Sequence, residues 1–198
     1  MTRPRGFSDR GQAFPIYITV VAGLLFLALA YLAVGQASVN RSGAQTAADA
    51  AALAAAQNTR DQLAGKWLED LLDPTKWQDI FDGKVAVDDP CWRAGQLAAA
   101  NDANLDACEP LEPLKYTVTV TTNKSVGHSV VPGTENIKSS KSATAEIEPL
   151  CTFKLPGEDK GADVLPQLTC DGKAWDLNPD DEAGLPKPED LFDVHLAD

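Results

Sequence analysis

From Gly11 to Asn40 the chain runs for 30 residues without a charged side chain. The segment FPIYITVVAGLLFLALAYLAVG within it is long enough, as a helix, to cross the ~30 Å hydrocarbon slab of a bilayer. Between Phe14 and Ala37 lie five Leu, two Ile, three Val and two Phe. At roughly −0.3 to −0.6 kcal/mol each, these side chains favour insertion by about 4–7 kcal/mol. Thr19, Gly23 and Gly35 dilute the span, and Pro15 and Gln36 sit near its ends.

Charge and cysteine placement give the span a direction. Arg3, Arg5 and Arg10 precede it, whereas only Arg41 follows closely. Basic residues stay on the cytoplasmic side, so the chain is expected to start there and to continue outside. Beyond Asn40 come 14 basic and 28 acidic residues, an excess that argues against nucleic acid as a partner. Cys91, Cys108, Cys151 and Cys170 all fall on the outer side, where two disulfides are expected in one of three connectivities. The competing reading is a secretory signal cut after Gly35-Gln36-Ala37. The apolar run is about twice the usual 7–15 residue signal core, which favours retention.

The chain therefore divides into a cytoplasmic tail (1–11), a transmembrane helix (12–37), an alanine-rich stalk helix (38–73), an extracytoplasmic head (74–155) and an acidic, Pro/Gly-rich tail (156–198). Nine of the thirteen residues from Ala44 to Ala56 are Ala, the strongest helix former. Gly35 and Ser42-Gly43 are places where the long helix could bend, and Asp73-Pro74 ends the pattern. Trp67, Leu68, Leu71 and Leu72 recur at helical spacing and are expected to anchor stalk to head, with Trp77, Ile80 and Phe81 on a further short turn. Asp88-Asp89-Pro90 signals another helix start. If Cys91 pairs with Cys108, that helix must stop near Asn101–Asn104, because a straight one would hold the two about 25 Å apart.

From Leu114 the period changes to two. In LKYTVTVTT, Tyr116, Val118 and Val120 alternate with threonines, a half-buried strand. Ser125–Val131 and Ser142–Glu148 read as further strands, and Cys151–Leu155 as an edge strand. The fold class expected is α+β: a long N-terminal helix, membrane-spanning and then alanine-rich, carrying a small disulfide-stapled head with an antiparallel sheet. Residues 156–198 read as a loosely ordered tail stapled near Cys170.

The first 57 residues resemble the membrane-anchored TadE/TadG-like proteins of the Tad (Flp pilus) assembly system. The features that carry this are Asp9-Arg10-Gly11-Gln12-Ala13, the apolar span, and the AADAAALAAA string from Ala47 to Ala56. The resemblance implies a pseudopilin-like envelope protein with membrane lipid and other pilin-like or Tad assembly proteins as partners. It also implies helix–helix contacts, with homo-oligomers through the N-terminal helix, and a prepilin-type cleavage between Gly11 and Gln12. Such cleavage is normally accompanied by Glu at the fifth mature position, which here is Ile16, so an uncleaved or minor component is expected. Small residues allow close helix approach, which makes Ala47, Ala51, Ala54 and Ala55 the expected helix–helix interface, with Asp49 solvated among them.

No catalytic constellation stands out, and no enzyme, cofactor or metal is expected. His128 and His195 have no nucleophile or ligand motif around them, and the cysteines lack CxxC spacing. Asp176, Asn178 and Asp180 begin a calcium-loop pattern, but Asp181 stands where that loop needs Gly and Lys187 where it needs Glu. The alternative reading is a surface-anchored extracytoplasmic binding module unrelated to pili, its acidic head recognising a cationic or cell-wall ligand.

Overall fold

The computed structural model describes residues 13–125, 136–155 and 165–197. Its dominant element is α1 (Ala13–Glu69), a single helix of 57 residues, about 85 Å long. Neither Gly35 nor Ser42-Gly43 breaks it. Intrinsic propensity and the missing interior proline allow that length, but the two halves meet different surroundings. The large apolar side chains from Phe14 to Val39 stand exposed, whereas Ala44 to Leu71 supplies much of the head's core.

The head is α+β, as its sequence pattern implies. After α1 come α2 (Trp77–Phe81), α3 (Cys91–Ala100), β1 (Ala103–Glu112), β2 (Lys115–Thr122) and β3 (Ser140–Pro149). Then follow β4 (Cys151–Phe153), β5 (Leu168–Cys170), β6 (Lys173–Trp175), α4 (Pro188–Leu191) and β7 (Phe192–Leu196). Four strands form an antiparallel sheet in the order β1-β2-β3-β7, and β4-β5-β6 form a second, smaller one.

The alternation in β2 does what its period dictates. Tyr116, Val118, Val120 and Thr122 turn inward, while Thr117 and Thr119 on the other face bond across the strand to Thr144 and Ser142. α1 lies against the inner face, contacting β2, β3 and β7, and α3 packs beside it. Ala94 and Ala98, one turn apart, are the buried residues of α3. Alanines on both helices let their backbones approach closely. The side chains available are too small to fill a wider gap.

At the end of the head far from the apolar span, large side chains replace alanine. Trp67 and Trp77 meet at 5.5 Å between ring centroids, Trp77 and Phe153 edge-to-face at 5.2 Å, and Phe81 and Phe192 at 5.5 Å. Such tilted pairs contribute about 0.5–1.5 kcal/mol each beyond their area burial. Trp77 Nε1 donates to the Asp70 carbonyl at 3.0 Å, closing the turn after α1.

Of the three connectivities open to the cysteines, the one realised is Cys91–Cys108 and Cys151–Cys170, with Cα separations of 5.8 and 4.0 Å. The first is met as the geometry requires. α3 stops at Ala100, Asp102 takes φ 57°, a left-handed conformation that aspartate tolerates, and β1 runs back. The second bridges directly paired residues of β4 and β5.

Four expectations need correction. The alanine segment is not a free stalk below a head that begins at residue 74; it is the head's central helix, because the inner face of the main sheet has to be covered. Leu68 and Leu72 are 47% and 73% exposed, so only Trp67 and Leu71 of the expected anchor set point inward. The segment after Pro156 is not a loose tail where it is described, since β7 completes the main sheet against β3 and Leu191 and Phe192 are buried. β4 is an edge strand as expected, but of the second sheet rather than of the main one. Most of the strand expected at Ser125–Val131 lies outside the described residues.

Candidate functional site

Among the described residues one helix segment is long and apolar enough to cross a membrane, Phe14–Leu32, 19 residues with no part buried against the rest of the chain. Burial against protein therefore does not explain its composition. One of its polar side chains is satisfied internally: the Thr19 hydroxyl donates to the Pro15 carbonyl at 2.5 Å, so no unmet donor is left there. Pro15 sits within the first turn of α1, where its missing N–H costs nothing. Gly23 and Gly35 face open space, so the helix surface there is bare and small.

The expected intermolecular face is placed elsewhere. Ala47, Ala51 and Ala55 are wholly buried and Ala54 nearly so, inside the chain's own packing against the sheet and α3. This corrects the expectation that they meet a partner helix. An alanine face looks the same in sequence whether another chain or the same chain covers it. Two signals pointed to the second: the matching small pair Ala94/Ala98, and a sheet whose apolar inner face had no other long helix to cover it. Asp49 is half-buried beside them, its carboxylate accepting from Gln45 Nε2 at 2.8 Å.

The remaining sequence candidates do not converge. Gly11, Gln12 and His128 lie outside the described residues. His195 is on β7 with its Nδ1 3.0 Å from the Asp193 carboxylate, a partly exposed pair of one edge strand. Asn178 Oδ1 accepts from the Asp180 N–H at 3.1 Å, a local turn. Among the described residues, no three His, Cys, Asp or Glu side chains are grouped as metal ligands.

What the arrangement defines is a helix-and-head protein, in which one helix is bare and apolar over its first half and structural over its second. Residues 11–58 match the family model of putative Flp pilus-assembly TadE/G-like proteins. The N-terminal region is therefore TadE/G-like, and the match ends within the part of α1 that the head encloses. No curated protein and no solved structure matches the chain.

Proposed function

We propose that this chain is a single-pass, non-enzymatic component of a Tad/Flp-type pilus-assembly apparatus. It lies with its N-terminus in the cytoplasm and its disulfide-bonded head outside, and it works beside other pilin-like or Tad assembly proteins. The observation that carries this reading is the stretch that the family match spans. The TadE/G-like match at 11–58 covers the apolar span together with the alanine turns on which the head is built. The three arginines before the span and the cysteines after it support the orientation.

Helix association, on this reading, uses the exposed faces between Phe14 and Val39, since the alanine face is committed to the head. The absence of Glu near Gly11 favours a minor or assembly role over that of a repeating fibre subunit. Photocrosslinkers at Leu25 or Leu29 in whole cells are expected to trap pilin-like or Tad proteins, whereas one at Ala51 traps none. Alkaline extraction and protease shaving give the topology. A chain released without detergent, or a head protected from external protease, defeats the proposal.

A further inference from the structure

The membrane-facing end of the head holds a feature that anchoring alone does not require. A cleft of about 750 Å³ opens between α1 and the base of the loop after β2. One wall is apolar helix, Ala28, Leu32, Gly35 and Val39; the other carries Lys124 and Ser125. From Ala28 to Val39 the helix rises about 16 Å, close to the depth of one leaflet. Tyr31, also on the lining and exposed, is a residue type favoured at the membrane–water interface.

The polar end of the cleft is built from donors. Asn40 lines it, and its Nδ2 is buried without a hydrogen-bond partner among the described residues. Lys124 is fixed by its backbone: the Thr122 hydroxyl donates to the Lys124 carbonyl at 3.0 Å and accepts from the Ser139 N–H at 3.1 Å. Arg41 is exposed one residue beyond Asn40, whereas exposed Lys138, one residue before the Ser139 that pairs with Thr122, falls on the outer face of the ribbon by alternation. The Lys124 ammonium also meets the Asp102 carboxylate at 2.7 Å, but with side-chain exposures of 78% and 70% this is a weak, water-screened pair.

We propose that this cleft binds one anionic phospholipid of the outer leaflet. An acyl chain lies along Ala28, Leu32, Gly35 and Val39. The phosphate region accepts from Asn40 Nδ2 and lies beside the Lys124 ammonium group. The inference rests on the membrane-anchor reading and adds a headgroup preference to it. That preference matches the complementarity of the site: apolar wall below, a cation and an unmet amide donor above. An uncharged lipid satisfies the wall but not the lysine.

The full chain, purified in maltoside micelles, is offered equal phosphatidylglycerol and phosphatidylcholine, and retained lipid is counted by native mass spectrometry. One phosphatidylglycerol per chain is expected in preference to phosphatidylcholine. The preference should fall about fivefold for Lys124→Ala, fall for Asn40→Ala, and hold for Lys138→Ala on the outer face and for Lys66→Ala at the far end of the head. Equal retention of the two lipids, an unchanged preference in the Lys124→Ala variant, or a lipid-free dimer overturns the inference while leaving the anchor reading intact. Alkaline extraction of the same chain from membranes tests that reading separately, and release there overturns both.

Discussion

Replacing Ala51 by leucine separates two accounts of the alanine helix by the sign and size of a stability change. Ala51 is wholly buried where α1 meets the head. Leucine adds three carbon atoms there, and the surrounding helix and sheet have to shift or force the side chain off-rotamer. Overpacking of this kind costs about 1–3 kcal/mol. Were the alanines a free face awaiting another molecule, the substitution would fall within about 0.5 kcal/mol, as surface changes do. For a head of this size, about 2 kcal/mol corresponds to a fall in Tm of about 4–8 °C. The four tryptophans all lie in the head, at 67, 77, 92 and 175, so circular dichroism of the full chain in detergent at the long-wavelength edge of the near-UV, where tryptophan alone absorbs, follows head unfolding without interference from Tyr17 and Tyr31 of the span. Gln57→Leu, on the exposed side of the same helix, is the control and should leave Tm in place. An Ala51→Leu chain that melts with the control refutes the assignment of this helix to the head's core.

Three further outcomes follow from the geometry. Gly83→Ala places a Cβ at φ 68° and 2.7 Å from Leu114 Cδ2, so it should cost more than about 1 kcal/mol in the same melt; a neutral result contradicts the packing of the α2 turn on the β1–β2 hairpin. Serine in place of both cysteines of either disulfide, which close spans of 17 and 19 residues, should lower stability by about 2–4 kcal/mol in a guanidinium titration, and a loss below 0.5 kcal/mol is the contrary result. A hydroxyl bond from Thr75 holds the Asp73 carboxyl below its usual range, and bonds from Lys84 and Gln78 do the same for Asp82. Since the folded values are depressed, their small stabilisation is complete above the ordinary aspartate range and fades only as pH falls through the lower folded midpoints. Carboxyl carbon titration by NMR should find both midpoints below those of unfolded aspartate, and midpoints at or above it contradict the contacts.

What was readable in the chain depended on how many forces pointed the same way. β2 was legible because threonine and apolar residues alternate without interruption over its whole length. The α2 turn was legible from Trp77, Ile80 and Phe81, whose spacing allows one buried face. β1 was missed because ANLDACEPLE has no clean period. It is an edge strand with two register shifts and a proline, held by the disulfide at Cys108 more than by its own pattern. β7 is five residues long with two charged or titratable members, and it gains its structure from pairing with β3, a contact over 40 residues away in sequence. For the candidate site, the apolar span was plain from composition. The destination of the alanine face was not, because methyl groups record that something sits close without recording what.

Hydrogen exchange of the intact chain in lipid nanodiscs tests most directly whether a single helix serves as both membrane anchor and head core. The amides from Ala44 to Leu71 should open only with the sheet, at the same rates as β2 and β3, while those from Phe14 to Leu32 stay shielded by lipid. Rapid exchange across Ala44–Leu71 alongside a protected sheet would contradict the account.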